Sequence, residues 1–241
     1  MKVLKNVFDE ENKREPLKWW DKVRYIFTNP NEAFKDVAVF PKVLFPTLLV
    51  VISMILISLI TLDKDVQIQN MIQQYEKLGQ EIPPTSQMEK SFYVSILFAG
   101  IGPLIFWGIK SFLVSGLSSV LGGTGTVKEA FSVIAHAYLP VVLGSLVVGI
   151  ISMIVGKGTI PIDFSILLPN SMEGGFLYYV LAQINIFIIW YEILTVIGIS
   201  YAFDIPRKKS AIVVIGSWLI WILIVSGTNT IISSYTQGLM G

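Results

Sequence analysis

The chain has 241 residues, of which 53% are hydrophobic and 15% are charged, and its formal net charge is +1. A composition this apolar excludes an ordinary soluble domain, and the near-neutral charge gives no reason to expect a nucleic-acid partner. Cysteine is absent and histidine occurs once, which excludes disulfides, cysteine nucleophiles and two-histidine metal sites. We therefore expect an all-α, polytopic membrane protein that uses no cofactor.

The chain begins with a region, residues 1–42, that is predicted to be cytosolic. After a charged tail at 1–15, the segment 17–27 has an apolar face and a polar face, and the polar face includes Lys22. The tryptophans Trp19 and Trp20 are predicted to anchor this amphipathic helix in the membrane interface.

A second short helix is expected over roughly residues 30–38. The sequence Asn29-Pro30-Asn31-Glu32 supplies an N-cap, a proline at the first helical position and an acidic first turn. The two helices either dock on the membrane surface or pack on a cytosolic domain. We favour the membrane surface, because the sequence offers no soluble core for them to pack on. The first long apolar run starts at Val43, so we expect the first span to direct its own insertion.

A membrane domain of five helices is predicted over residues 43–232, followed by a short extracytoplasmic tail at 233–241. Each apolar segment reaches the length that a hydrocarbon core of ~30 Å requires. The predicted spans are 43–62, 92–121, 127–155, 176–203 and 211–232. Three of them are longer than a bilayer needs, so their cytosolic ends are expected to gather as a small helical cap made of 111–121, 127–139 and 196–203.

Basic residues next to the predicted spans favour one orientation in the membrane. Thirteen lysines and arginines flank the spans on the side of the N-terminus, against four on the other side. The N-terminus is therefore predicted in the cytosol and the C-terminus outside.

A glycine-rich turn between the second and third spans is a strong local signal. Gly122, Gly123 and Gly125 end one apolar segment. Thr126 and, three residues later, Glu129 then form a capping box that starts the next helix. We expect Gly123 or Gly125 to need a positive φ angle.

Three polar residues within the apolar segments are candidates for function. Lys110 and Glu192 lie ~27 Å and ~24 Å from the outer ends of their segments, at 1.5 Å per residue. These similar depths predict an ion pair near the cytosolic edge of the membrane. The alternative is that each side chain reaches the lipid headgroups separately. Asn185, seven residues before Glu192, is expected on the same helical face.

His136 and Pro140 belong to the third segment, with His136 on its cytosolic flank and Pro140 near its middle. We expect His136 to be packed or to contact headgroups rather than to sense pH. Stripes of small residues on the second and third segments fit helix–helix packing. The sequence holds no Walker loop, no zinc motif and no paired intramembrane aspartates, so no enzyme activity is expected.

The segment from Gly122 to Pro140, GGTGTVKEAFSVIAHAYLP, resembles the signature of the Yip domain family in its bacterial form. This family comprises Ypt/Rab-interacting membrane proteins with five spans. The segment FTNPNEAF at 27–34 resembles the family's entry motif, and Trp190, Ile197-Gly198 and KKSA at 208–211 resemble the exit from its fourth span. The likeness covers roughly residues 20–232.

In eukaryotic members the resemblance implies vesicle trafficking through Rab GTPases. This chain lacks the long acidic N-terminal region and the tyrosine-containing motif of those members, so Rab binding is not expected. The bacterial form implies an accessory or assembly partner of other membrane systems, ABC-type exporters included.

Two functions of different classes follow. The leading one is a non-enzymatic scaffold in the cell membrane of a bacterium, which contacts lipids and other integral membrane proteins. Its client would be an ABC-type exporter complex that acts in efflux or in protection from a toxic peptide, and a homo-oligomer fits the small-residue stripes too. The alternative is a small transporter or channel with a polar path through Lys110, Asn185 and Glu192.

Overall fold

The computed structural model describes residues 15–155 and 162–240 of the chain. Within these two ranges the chain is mostly helical and contains no strand, so the prediction of an all-α fold is confirmed. Most of the predicted charged tail, residues 1–14, lies outside the described residues. The helices are α1 (Trp19–Thr28), α2 (Pro30–Val39), α3 (Leu44–Thr61), α4 (Lys64–Lys77), α5 (Thr85–Val120), α6 (Val127–Ala137), α7 (Leu139–Val155), α8 (Phe176–Ala182), α9 (Ile186–Ala202) and α10 (Arg207–Met240), with 3₁₀ turns at Phe164–Leu167 and Asn170–Met172.

Four helical segments are long and apolar enough to cross a membrane: α3, α5, α6 together with α7, and α10. The helices α8 and α9 reach this length only together, and they are bent by 65° at the break between them. The chain therefore has the helices of an integral membrane protein, with four spans, or five when the bent pair crosses as one.

The break before α9 is built by Asn185, which was predicted inside one continuous span. Its side-chain Oδ1 accepts hydrogen bonds from the backbone N–H groups of Phe187 at 2.9 Å and Ile188 at 3.0 Å. Asn185 is thus the N-cap of α9, because its side chain satisfies donors that have no partner within the helix.

Two helices extend past the ends that the sequence indicated. Helix α5 starts at Thr85 rather than near Phe92, and α10 continues through Met240, so the predicted C-terminal tail is helical up to that residue. The reason is that an apolar run marks contact with lipid, whereas a helix continues as long as its backbone hydrogen bonds are made.

One end of the bundle is tightly packed, and we call it the cap. It consists of α1, α2, α6, residues 111–120 of α5, residues 194–202 of α9 and Phe203, which follows α9. Helix α2 packs on α9, and α6 packs on α5, α9 and α2. Each of these elements contributes a large, fully buried side chain to the cap: Ile26 of α1, Phe34 of α2, Val114 of α5, Ile134 of α6 and Ile199 of α9.

The expectation that α1 and α2 find no core to pack on is wrong. Phe34 and Val37 of α2 are fully buried, as is Ile26 of α1. Lys22, predicted on an exposed polar face, is only 3% exposed. The core exists because the ends of α5, α6 and α9 come together and supply apolar surface that no single segment shows in the sequence.

The turn between α5 and α6 also differs from its prediction. The positive φ angle, +90°, belongs to Gly122 and to neither Gly123 nor Gly125. Gly125 is needed for close approach instead, since a Cβ there would lie 2.6 Å from the carbonyl oxygen of Ala202 and 2.7 Å from a ring carbon of Phe203. A Cβ on Gly123 would lie 3.1 Å from the Cβ of Phe203. The turn is therefore held against the end of α9.

The start of α6 carries the capping box. The Thr126 N–H donates to the Glu129 carboxylate at 2.6 Å, and the Glu129 N–H donates to Thr126 Oγ1 at 3.3 Å. At the other end of α6, Pro140 has no N–H to offer the preceding turn, and the helix is interrupted at Tyr138 before α7 begins.

Candidate functional site

Lys110 and Glu192 face each other in the interior of the bundle. The Lys110 Nζ lies 2.6 Å from Glu192 Oε1 and 2.7 Å from Oε2, so one ammonium group contacts both carboxylate oxygens. Their side chains are 3% and 2% exposed. A buried charge is costly unless it is paired, and here each charge is the partner of the other.

Helices α5 and α9 bring this pair together, although Lys110 and Glu192 lie 82 residues apart in the sequence. Glu192 lies in the second turn of α9, beyond the break that Asn185 caps, and Lys110 lies in the second half of α5. The hydroxyl of Ser111, the residue after Lys110, donates to the backbone carbonyl oxygen of Trp107 in the same helix. The pair thus joins two helices at the level where the cap begins.

Aromatic rings surround the pair, and we call them the aromatic cluster: Phe106, Trp107, Tyr138, Tyr191 and Trp221. The Lys110 Nζ lies 4.3 Å from the ring centroid of Tyr191, within the range of a cation–π contact. The Tyr138 ring centroid lies 5.0 Å from that of Trp107 and 5.4 Å from that of Tyr191, and the Phe106 and Trp221 rings contact each other at 4.8 Å. The cluster keeps the pair in an apolar setting.

A cavity of about 260 Å³ lies beside Glu192. Two interruptions of helical structure reach it, Tyr138 between α6 and α7 and Gln183 between α8 and α9, and Pro103 lines it from within the continuous helix α5. Irregular backbone at membrane depth is tolerated where it is buried in protein or lines a cavity. The same cavity is walled by rings of the aromatic cluster and by Trp218.

Asn185 lines a different cavity, of about 340 Å³, between α3, α7 and the start of α9. Glu192 does not line that cavity, and Asn185 does not line the one beside Glu192. The structure therefore brings Lys110 and Glu192 together but leaves Asn185 apart from them, because the 65° bend and the N-cap turn its side chain to the helix end.

A second buried ion pair joins α1 and α2 and was missed in the sequence. The Lys22 Nζ lies 2.6 Å from Asp36 Oδ2, and both side chains are almost fully buried. The other carboxylate oxygen of Asp36 accepts the backbone N–H of Leu17 at 2.8 Å. No spacing rule links Lys22 and Asp36, since they lie on different helices whose crossing is set by the core.

The remaining candidates lie in or next to the cap. His136 is buried, and its Nδ1 donates to the carbonyl oxygen of Ser132 at 2.7 Å. Trp19 and Trp20 are about half exposed, at 52% and 50%, and the Trp19 ring packs 5.5 Å from that of Phe45 at the start of α3. No cluster of histidine, aspartate or glutamate able to hold a metal ion occurs within residues 15–155 and 162–240.

The small residues of α5 and α7 are largely used inside the bundle. Ser111 and Ser118 of α5 are fully buried. Gly149 of α7 packs closely on α3, since a Cβ there would lie 2.7 Å from the Cβ of Thr61. These stripes pack helices of this chain against one another, as neighbouring helices in lipid commonly do.

The sequence as a whole matches one protein family. The Yip1 domain model matches residues 24–228, which is most of the chain and includes α2 to α9 and most of α10. No curated protein and no solved structure matches the chain. With its apolar helices and a family match of this extent, the chain is an integral membrane protein that belongs to the Yip1 domain family.

Proposed function

We propose that this chain is a non-enzymatic membrane scaffold or accessory protein, which holds other integral membrane proteins rather than moving a solute. The observation that carries the proposal is the closed Lys110–Glu192 pair. Both carboxylate oxygens contact the same ammonium group, and neither side chain reaches the surface. A charge on a transport path must exchange partners or meet water, whereas a closed pair fixes the register of two helices.

The cap supports the same function, because it is tied together at several points and offers a stable surface. Lys209 donates to the carbonyl oxygen of Leu121 at 2.8 Å, and Thr124 donates to that of Phe203 at 3.0 Å. Arg207 is hydrogen-bonded to Asn31 at the start of α2. The segment between α9 and α10 is thereby fastened to both α2 and α5.

The setting and the client are part of the proposal. The excess of basic residues on the side of the N-terminus favours an N-terminus in the cytosol of a bacterium and a cap on the cytosolic face. The partners would be integral membrane proteins, ABC-type exporter subunits among them, that meet the cap and the lipid-facing sides of the helices.

Affinity purification from native membranes in mild detergent tests the scaffold. The bait proteins are the wild-type chain, the Lys110→Met/Glu192→Gln double variant and, as a matched control, Lys64→Met/Glu89→Gln. The control removes the same residue types from an exposed pair whose atoms lie 2.9 Å apart. All three baits should enrich the same membrane proteins over an unrelated membrane protein. If no membrane protein is specifically enriched, the scaffold function is contradicted. If partners are enriched but exporter subunits are not among them, only the assignment of an exporter as the client is contradicted.

A transporter is the second candidate, and the cavity beside Glu192 favours it. Broken helices meet there near a buried carboxylate, which is an arrangement found at transporter sites. Against it, Asn185 and Glu192 line different cavities, which argues against one polar path through the three predicted residues. If the chain is a transporter, the Lys110→Met/Glu192→Gln variant should remain stable but should lose solute flux in proteoliposomes. That loss should occur whichever proteins co-purify with it.

A further inference from the structure

A cavity of about 460 Å³ lies next to the exposed tryptophans of α1 and is separate from the two cavities already described. One wall is the extended segment that leads into α1, and the other is the start of α3. The leading segment is held in place, since the Leu17 N–H donates to the buried Asp36 carboxylate at 2.8 Å. The volume lies within the 300–1,000 Å³ that is usual for ligand sites.

Three lysines line this cavity, Lys18, Lys22 and Lys42, and no acidic residue does. Lys22 is paired with Asp36, but no acidic side chain in the described part of the chain pairs with Lys18 or Lys42, which are exposed. Two other acidic residues lie nearby in the sequence, Glu15 and Asp21, and neither lines the cavity. The opening therefore carries positive charge that no acidic group within residues 15–155 and 162–240 neutralises at Lys18 or Lys42.

The other side of the cavity is aromatic and lies at the start of a helix long enough to span a membrane. Trp19, Trp20 and Phe45 line it, and their exposed fractions are 52%, 50% and 37%. Phe45 stands in the first turn of α3, an apolar helix long enough to span the bilayer, so this level of the molecule is where a membrane interface begins. Half-exposed tryptophans are typical of that interface.

Positive charge beside exposed aromatic rings at the start of a membrane span fits an amphipathic molecule, which has a negatively charged part and an apolar part. We propose that this cavity binds a phospholipid with a net negative headgroup, whose phosphate lies between Lys18 and Lys42 while its upper acyl carbons lie against Trp19 and Phe45. Phosphate is attracted by lysine as a point charge, and acyl chains are attracted by the exposed rings. A soluble anion would use the lysines alone and leave the rings uncovered.

Thermal unfolding in a neutral detergent tests this site on the full-length protein. The probes are dioleoyl phosphatidylglycerol, dioleoyl phosphatidylcholine with the same acyl chains, and inorganic phosphate. The test variant is Lys18→Gln/Lys42→Gln, in which both side chains are exposed, so folding should be unaffected. The control is Lys128→Gln/Lys208→Gln, which makes the same change of net charge at two exposed lysines away from the cavity.

Phosphatidylglycerol is expected to raise the unfolding temperature of the wild type and of the control, and phosphatidylcholine and phosphate to do so far less. The test variant should bind phosphatidylglycerol more weakly, by roughly fivefold for each lysine removed. Three outcomes would overturn the proposal: an undiminished response of the test variant, an equal loss in both double variants, or equal stabilisation by the two lipids. Equal stabilisation by phosphate would show a site for a free anion instead.

Discussion

The cap and the opposite end of the bundle differ in how much of their surface is buried. In the cap, a single helix, α2, has four buried residues: Ala33, Phe34, Asp36 and Val37. At the opposite end, α8 buries no residue, and Ile68 is the one described side chain of α4 that is buried, at 8% exposure. The 340 Å³ cavity lies toward this second end, between α3 and α7.

The difference shows where the free energy of folding is concentrated in this chain. Membrane spans gain little from helix–helix contact through the hydrophobic effect, because lipid is as apolar as a leucine side chain. The cap gains from apolar burial as a soluble core does, since Phe34, Ile134 and Phe203 are removed from water or headgroups altogether. Each prediction below either weakens the cap end or compares it with the rest.

The largest effect is expected at the ion pair below the cap. Lys110→Met or Glu192→Gln leaves one buried charge without its partner, which costs about 3–5 kcal/mol in buried pairs. The double variant removes both charges and should recover a large part of that loss. Free energies of unfolding of the four proteins in one detergent check this.

The exposed pair of Lys64 and Glu89 is the control for that cycle. Both side chains are more than a third exposed, and the hydrogen bond and charge of Glu89 raise the pKa of Lys64. Solvent screens such pairs, so Lys64→Met and Glu89→Gln should barely change stability. Strictly additive losses at Lys110 and Glu192, or equal losses at both pairs, would mean that the buried pair does not hold α5 to α9.

A smaller effect is expected where α2, α6 and α9 cross. A Cβ on Gly198 would lie 2.7 Å from a ring carbon of Phe34 and would also meet Val133. Gly198→Ala should therefore lower stability by about 1–3 kcal/mol, as overpacking does. Gly216→Ala on α10 is the matched control, since no atom lies within 4 Å of its Cβ and alanine favours a helix. Thermal unfolding should separate the two, and equal shifts would show a loose crossing.

The smallest effect is expected at the first turn of α6. Thr126→Ala removes the side chain that accepts the Glu129 N–H, and loss of such a cap costs about 1 kcal/mol. Thr228→Ala on the exposed side of α10 is the control, because its hydroxyl donates only to a carbonyl of its own helix. A similar change in unfolding temperature for both variants would show that the capping box adds nothing to the turn.

Local signals in the sequence predicted much of this fold. Thr126 with Glu129 marks the start of α6, because a capping box depends on residues within one turn. Asn29 and Pro30 mark the start of α2 by position, although the Asn29 side chain makes no capping hydrogen bond. Residue counts gave similar depths for Lys110 and Glu192, and the structure places their charged atoms 2.6 Å apart. The function of this pair and the orientation of the chain in the membrane stay predictions.

Features that depend on how helices cross were not predictable from one segment at a time. The Lys22–Asp36 pair and the packing of α2 on α9 need the core that three distant helix ends create together. Part of the aromatic cluster did leave a signal, since Phe106 lies one helical turn before Lys110 and Tyr191 precedes Glu192. Tyr138 and Trp221 left none, because only the fold brings them near.

Hydrogen–deuterium exchange of the wild-type chain in detergent tests the contrast between the two ends most directly. Helices α2 and α4 suit the comparison, because both lie outside the candidate membrane spans. The amides of α2 should exchange slowly, only when the cap unfolds as a unit, and those of α4 quickly, through local opening. Equal protection of α2 and α4, or faster exchange in α2, would contradict the account of a cap that carries the stability of the chain.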